Sequence, residues 1–310
     1  MLRSSTSNAP FKARFRSGSY KKLSGWKLVR EIIFYSLLSL FGVIMILPFI
    51  WSLETSLKPN KDIFATPVQW LPTSLTFDHY IEAFTTVPFA HYFWNSLFLA
   101  VAGVISNLFL GSLAGYAFAR MRFRGNGLLF RLLLVSMMVP SIVTMIPTFI
   151  ILRSFPLAGG NDITGQGGHG LLNNYLAVIL PGAAGAFAVF LMRQFFLTLP
   201  VELGEAARID GCSEFRIFWR IYLPQCKPAL ATLAVFTFQA GWNSFLWPLI
   251  VFSNQDMKTV QMGLQAFSYN HSTDYGPLMA GSVVATLPTL FLFIYAQKYF
   301  SQGISFTGNN

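Results

Sequence analysis

Six long stretches without a charged residue divide the sequence. Each holds at least 21 consecutive residues other than Asp, Glu, Lys or Arg. A charge at the centre of a bilayer costs about 3 kcal/mol, and one membrane crossing takes about 20 apolar residues. The pattern therefore predicts six transmembrane helices, near 32–53, 92–119, 130–152, 173–193, 228–253 and 277–299.

The composition supports a membrane protein and excludes a single soluble domain. Apolar residues make up 54% of the chain and charged residues only 11%, against about 25% charged residues in a typical soluble domain. Cys212 and Cys226 are too few for a disulfide framework, and neither lies at metal-ligand spacing from a histidine. We therefore expect no secreted, disulfide-linked scaffold, no metal site and no cofactor.

The net charge of +10 can indicate nucleic acid or cytoplasmic membrane loops, and its distribution favours the loops. With the N-terminus placed inside, 18 Lys and Arg residues lie on the inner side and 4 on the outer side, as the positive-inside rule requires. This predicts a basic cytoplasmic tail over 1–30, a six-span domain over 31–300 and a cytoplasmic tail over 301–310. The partner is the lipid bilayer rather than nucleic acid. An organellar transit peptide is the alternative for the Arg- and Ser-rich N-terminus.

Several kinds of chemistry have no motif in the sequence. A Gly-Lys dipeptide, and with it the end of a Walker A loop, does not occur, so the chain cannot hold ATP in that way. Neither His-Glu-x-x-His nor Gly-x-Ser-x-Gly occurs, which disfavours a metalloprotease or serine hydrolase. The predicted spans contain no interior charge, whereas ion-coupled carriers usually bury one. We expect a transport subunit, not an enzyme, with energy supplied by other chains.

The segment 198–228 between the fourth and fifth spans predicts a helix-turn-helix at the membrane surface. Thr198 is a plausible N-cap, Pro200 suits a first helical turn, and Gly211 ends the first helix. The second helix is expected to begin after Ser213 and to stop at Leu223-Pro224. Its aromatic residues share one helical face at i, i+3, i+4 and i+7, namely Phe215, Phe218, Trp219 and Tyr222. By itself, the pattern also fits a cytoplasmic loop that is only packed.

Motif residues in this segment resemble the EAA loop of ABC-importer permeases. They are Glu205, Ala206, Ala207, Asp210, Gly211, Ile221, Leu223 and Pro224. The stretches 242–248 and 259–264, together with Ser56-Leu57-Lys58-Pro59, resemble the carbohydrate-uptake branch of that family, in particular the smaller permease of maltose-type transporters. The likeness covers about residues 30–300. It implies an all-α type I ABC-importer permease fold with six transmembrane helices.

The resemblance also implies a function and a set of partners. The chain is expected to be a permease subunit that moves a di- or oligosaccharide across a bacterial or archaeal cytoplasmic membrane. Its partners would be a homologous second permease, two ATP-binding cassette subunits that receive the EAA loop, and an extracytoplasmic sugar-binding protein. The alternatives are a stand-alone secondary carrier or channel for a small polar solute, and a membrane enzyme or scaffold.

Polar and aromatic residues in or near the spans are candidates for the sugar pathway, because amide and indole groups bind sugars. Gln239, Trp242 and Asn243 are the first choice, with Asn107 and Gln194 as further candidates. Hydrogen bonding between helices explains each of them equally well.

Two predicted outer loops complete the set. In the loop 254–276, the residues Asn270, His271, Asp274 and Tyr275 are candidates for contact with the binding protein, as the maltose-type resemblance implies. A solvated hairpin without a role is the alternative. The glycine-rich stretch 158–170 is expected to be a flexible connection.

Overall fold

The computed structural model describes residues 25–67, 69–268 and 273–305, and this part of the chain is almost entirely helical. The only β contact there is an isolated bridge between Ser268 and Thr273. The all-α class predicted from the sequence is confirmed. The α-helices are α1 (Gly25–Leu57), α2 (Asn60–Ile63), α3 (Asp78–Thr86), α4 (Phe89–Ser106), α5 (Ser112–Arg120), α6 (Asn126–Ser136), α7 (Ser141–Arg153), α8 (Leu176–Gly182), α9 (Ala186–Thr198), α10 (Glu202–Ile209), α11 (Glu214–Ile217), α12 (Lys227–Trp242), α13 (Leu246–Val251), α14 (Val260–Gln265) and α15 (Tyr275–Ser305).

Two units divide the chain, Met1–Ile50 and Trp51–Asn310. The structure describes only the first part of α1 in the first unit, and the second unit contains all the features discussed below. Helix α1 begins at Gly25, inside the predicted 1–30 tail, and α15 continues to Ser305, inside the predicted 301–310 tail. The remainder of both predicted tails, 1–24 and 306–310, lies outside the described residues.

Four of the six predicted spans correspond to single helical segments long and apolar enough to cross a membrane. They are Trp26–Leu57, Phe89–Arg120, Leu176–Thr198 and Tyr275–Lys298. The predicted third span is α6 and α7, bent by 106° at their junction. The predicted fifth span consists of the 16-residue α12 and the short α13, and neither is long enough alone. The count of six spans therefore stays a prediction.

The interruptions in these spans have local causes in the sequence. Pro140 stands directly before α7 with an extended backbone, because proline has no amide proton and disfavours helix in the residue before it. Helix α8 ends at Pro181-Gly182. Helix α12 ends at Trp242, and residues 243–245 separate it from α13. By contrast, Pro48, Pro147 and Pro288 lie inside helices that continue past them.

Helix α5 and the π-helical turn Asn107–Gly111 before it pack closely against α9. A Cβ atom at Gly111 would lie 2.6 Å from the Cβ of Ala188, and one at Gly115 would lie 2.8 Å from the Cβ of Met192. These distances are too short for real Cβ atoms, so only glycine fits at both positions. Small residues allow close helix packing in the same way between membrane helices.

The glycine-rich stretch 158–170 is folded on itself rather than being an irregular connection. Oδ1 of Asp162 accepts hydrogen bonds from the backbone amides of Thr164 and Gln166 at 2.8 and 2.9 Å. These amides, together with the Thr164 hydroxyl, hold the pKa of Asp162 below its usual value. The side chain of Asn161 donates to the carbonyls of Arg153 and Phe155. Five glycines in this stretch have positive φ, which explains their abundance.

Candidate functional site

The first half of the 198–228 segment has the turn that the sequence predicts. After α10, Gly211 takes a φ of +77°. Its amide donates to the carbonyl of Arg208 at 3.0 Å, and the amide of Cys212 donates to the carbonyl of Ala207 at 2.9 Å. This pair of bonds is the Schellman arrangement, which ends a helix at a left-handed residue. The bend at Gly211 is therefore a defined helix stop.

The second half differs from the prediction in two respects. Helix α11 does not stop at Leu223-Pro224. It passes through a π-helical turn (Phe218–Tyr222) and a 3₁₀ turn (Leu223–Cys226) directly into α12. Proline is tolerated at 224 because it occupies the first turn of the 3₁₀ segment, where its missing amide proton is not needed. The predicted N-cap is also wrong, because Thr198 is the last residue of α9 and its hydroxyl donates to the carbonyl of Phe195.

The aromatic face predicted for the second half of the 198–228 segment is divided between the protein interior and its surface. Phe218 and Tyr222 are buried. Phe215 and Trp219 are 56% and 50% exposed, and their rings stack at a centroid distance of 6.3 Å. The π turn starts at Phe218, so the α-helical period used for the prediction does not hold there.

The motif residues fall into a buried and an exposed group. Ala207 is buried, and Ile221 and Leu223 are half-buried against the same core, which contains the rings of Tyr116, Phe196, Phe218 and Tyr222. The exposed residues are Glu205, Ala206, Asp210, Gly211 and Pro224. Ala207 thus fixes α10 to the core. Ile209, which the sequence analysis did not select, is 87% exposed.

An ion pair that the sequence analysis missed closes the turn. The Nε of Arg208 lies 2.6 Å from Oε1 of Glu214. The second carboxylate oxygen accepts from the hydroxyl of Tyr116 at 2.8 Å, and Tyr116 is only 2% exposed. The Arg208 hydrogen bond, followed by that of Tyr116, holds the pKa of Glu214 below its usual value. The carboxylate therefore joins both halves of the segment to α5.

Arg120, the last residue of α5, makes a second connection between α5 and the 198–228 segment. Its guanidinium donates to the carbonyl of Phe196 at 2.5 Å and to that of Leu199, at the C-terminal end of α9 where the last carbonyls lack the usual helical partners. The guanidinium also lies 4.9 Å from the ring centroid of Tyr222, whose hydroxyl donates to the carbonyl of Pro200. Helix α5 thus holds both the entry and the turn of the 198–228 segment.

Two of the five pathway candidates, Trp242 and Asn107, are occupied by bonds within the protein. Trp242 is buried, and its Nε1 donates to the carbonyl of Ala285 at 2.9 Å. The side-chain nitrogen of Asn107 donates to the carbonyls of Gly103 and Gly182, and its side-chain oxygen accepts from the backbone amide of Gly185. These two side chains hold helices together, as the alternative explanation proposed. Gln239, Asn243 and Gln194 are exposed, and Oδ1 of Asn243 accepts from Gln261 at 3.4 Å.

The predicted outer loop 254–276 is held at its base. Asn270 and His271 lie outside the described residues. The amide of Asp274 donates to the carbonyl of Phe267 at 3.0 Å. Tyr275 is the first residue of α15, and its ring contacts that of Phe64 at a centroid distance of 5.5 Å.

The first part of this loop is attached to α4 by polar contacts. The side-chain amide of Asn95 donates to the backbone carbonyls of Asp256 and Lys258 at 2.8 and 2.9 Å. The Ser96 hydroxyl accepts from the amide of Val260. Residues 256–260 are therefore fixed to the end of a predicted span.

Comparison with known proteins gives consistent matches. Residues 107–306 match the family described as the inner membrane component of binding-protein-dependent transport systems. The chain is 36% identical to the lactose transport system permease protein LacG of Rhizobium radiobacter, over 88% of this chain and 94% of that protein. It is 35% identical to the arabinooligosaccharides transport system permease protein AraQ of Halalkalibacterium halodurans, over 86% of this chain and 91% of that protein.

A solved structure has the same fold. A chain of a bacterial ABC transporter involved in the import of the acidic polysaccharide alginate superposes with a TM-score of 0.75 and 25% sequence identity, covering 89% of this chain and 98% of that one. The likeness confirms the ABC-importer permease fold that the motif residues implied.

Proposed function

The chain belongs to the family of inner-membrane components of binding-protein-dependent transport systems, and on this premise we propose that it imports a di- or oligosaccharide into the cytoplasm. In the proposed complex it pairs with a homologous second permease and two ATP-binding cassette subunits. A sugar-binding protein delivers the substrate from outside. The observation that carries the proposal is the 198–228 segment, which exposes Glu205, Ala206 and Asp210 while its other face is fixed to the helical core.

The chain is a transport subunit and not an enzyme, and ATP is hydrolysed in separate subunits of such importers. In the proposed mechanism, Glu205 of α10 and Asp210 directly after it bind a basic rim on an ATPase subunit, and the exposed Ile209 inserts an apolar side chain beside them. Two exposed acids at the edge of an interface favour orientation and fast encounter with a basic partner. The contacts of Arg120 and Glu214 then pass any movement of the segment to α5 and α9.

The substrate class is supported by the relatives, whose names state lactose and arabinooligosaccharides as their transported sugars. The test is uptake of radiolabelled lactose, arabinotriose and diacetylchitobiose by cells that carry the complete transporter genes. We expect uptake of one of these sugars, and its loss when the gene for this chain is deleted. Unchanged uptake of all three after the deletion would contradict the proposal.

We predict that both termini are cytoplasmic. Single cysteines at Ser17, Thr164 and Ser301 are compared in a chain whose Cys212 is replaced by serine. Burial raises the pKa of the Cys226 thiol to about 12, so little thiolate forms there at neutral pH and Cys226 can stay. In intact cells a membrane-impermeant maleimide should label only the Thr164 variant. Labelling of the Ser17 variant before the membrane is opened would overturn the topology.

We also predict that the 254–276 loop contacts the binding protein. Replacing residues 270–274 by Gly and Ser should lower both sugar uptake and the ATPase activity that the binding protein stimulates, because the contact surface is removed while the attachment of residues 256–260 to Asn95 and Ser96 is kept. The control is the same exchange at the exposed residues Ile163 and Thr164, which should change neither. Wild-type values for both activities in reconstituted vesicles would show that the loop is only a connection.

A further inference from the structure

A cavity of about 570 Å³ lies where three interrupted spans meet. Its lining comes from α7, from the end of α8, and from the break between α12 and α13, and it includes Ser141, Thr144, Thr148, Gly182, Ser244 and Trp247. The break before α7 lies at Pro140, that after α8 at 183–185, and that after α12 at 243–245. Residues within or directly next to all three interruptions therefore line the same space, which we call the hydroxyl cavity.

The position of the breaks already points to a ligand pathway. A helix break at membrane depth leaves backbone amides and carbonyls without helical partners, and these are tolerated only where they are buried in protein or line a water-filled space. In transporters, discontinuous helices of this kind surround the substrate site near the middle of the membrane.

The side chains of the hydroxyl cavity suit a neutral polyol. Among the described residues, the hydroxyls of Ser141 and Ser244 have no hydrogen-bond partner. Thr144 and Thr148 donate to the carbonyls of Ser141 and Thr144, at 3.0 and 2.7 Å, so their oxygens still have lone pairs for a ligand. Charged side chains do not line the described cavity. These groups can accept from and donate to sugar hydroxyls without a compensating charge.

An aromatic ring adds an apolar surface beside the hydroxyl groups. Trp247 lines the cavity, and its Nε1 donates to the carbonyl of Ala177 at 3.1 Å, which fixes the orientation of the indole. An apolar ring face beside a few polar groups is the usual composition of a small-molecule site. The C–H face of a sugar ring fits against such a surface.

A neighbouring cavity provides the contrast. It has about 550 Å³, shares Val178 and Gly182 with the hydroxyl cavity, and is lined mainly by apolar side chains such as Leu99, Leu233 and Phe236. Its polar side chains are Thr237 and Asn107. The side-chain nitrogen of Asn107 donates to two backbone carbonyls, and its oxygen already accepts from a backbone amide. This second cavity offers a sugar one hydroxyl group.

We propose that the hydroxyl cavity is a carbohydrate subsite of this chain, in which Ser141, Thr148 and Ser244 bind sugar hydroxyls and Trp247 covers one ring face. The inference rests on the proposed function and adds a site to it. It also moves the substrate contacts from Trp242 and Asn107, which hold helices together, to residues that the sequence analysis did not select.

The test uses the complete complex with its binding protein in vesicles, with Cys212 replaced by serine in this chain. The variants S141C and S244C should react with a small anionic thiosulfonate. Whichever of the three sugars is transported should slow this reaction about fivefold or more when its concentration exceeds its Kd about fivefold, because the bound sugar occupies the site. The matched control T237C, in the apolar cavity, should react slowly and without protection. The variant S141A/S244A should lower the uptake rate about fivefold or more, whereas T237V should not.

The possible outcomes distinguish a failure of the sugar subsite from a failure of the proposed function. Equal reactivity at 237 and 244, or no protection by the transported sugar, overturns the subsite while uptake by the unmodified complex still supports the proposed function. If the unmodified complex imports none of the three sugars in the panel, the proposed function fails and the subsite fails with it.

Discussion

Replacing Gly211 by valine should abolish sugar uptake while the chain still reaches the membrane and assembles. The φ of +77° at Gly211 is the left-handed region, which costs a non-glycine residue about 1–2 kcal/mol and a β-branched residue more. The strain would shift the helix stop on which the direction of α10 depends. Uptake and ATP hydrolysis in reconstituted vesicles measure the effect, and we expect hydrolysis that is no longer linked to uptake.

The matched control is Gly211→Asn, since asparagine tolerates left-handed conformations at helix ends. This variant should keep most of the uptake. The space around a Cβ at this position is open within 4 Å, so side-chain size alone does not exclude a substitution in this chain. Wild-type uptake by the valine variant would show that the geometry of the turn is not needed for coupling.

Removing the carboxylate of Glu214 should have the second largest effect. Glu214→Ala leaves the buried hydroxyl of Tyr116 without its acceptor, which costs about 1–3 kcal/mol. The Arg208–Glu214 pair is about 40% exposed on both sides, so its own contribution is expected to be below about 1 kcal/mol. We expect about a tenfold loss in sugar transported per ATP hydrolysed, because the polar link that joins α10 and α11 to α5 is then lost while the apolar packing remains.

Two tyrosines provide a paired test of this connection. Tyr116→Phe deletes the hydroxyl that binds Glu214, and Tyr222→Phe deletes a hydroxyl in the same aromatic core that binds the carbonyl of Pro200. Only the first should be non-additive with Glu214→Ala in a double-mutant cycle. Additive effects of Tyr116→Phe and Glu214→Ala would rule out the connection.

The pKa shift of Glu214 gives this connection a defined pH dependence. Because the folded-state pKa lies below the unfolded value, the stabilisation is present above the ordinary pKa of glutamate and is lost as the pH falls toward the folded-state value. We therefore expect the contribution of Glu214 to coupling to be constant between about pH 6 and pH 8.

The sequence predicted the helical class and the location of most spans because a charge in the bilayer is costly wherever it occurs. It did not predict which prolines interrupt a helix. Pro147 and Pro288 lie inside continuing helices, whereas Pro140 stands at a sharp bend. Neighbouring helices decide whether the freed backbone groups find partners, and the sequence pattern contains no information about them.

The features of the candidate site that depend on neighbouring residues in the chain could be predicted from the sequence. Gly211, the exposed acids and the first helix followed from short-range rules for helix ends. The contacts of Tyr116 with Glu214 and of Arg120 with Phe196 join residues 98 and 76 positions apart, and no periodicity reports such pairs. Residue type alone also did not show that Trp242, one of the pathway candidates, is buried and bonded to the carbonyl of Ala285.

ATP-driven transport is tested most directly by uptake of the labelled sugar into vesicles that contain the complete complex, with ATP enclosed and the binding protein outside. We expect uptake that requires both ATP and the ATP-binding subunits, is lost in Gly211→Val and persists in Gly211→Asn. Uptake at the same rate without ATP, or by vesicles that contain only this chain, would identify a stand-alone carrier or channel and would contradict the proposed function.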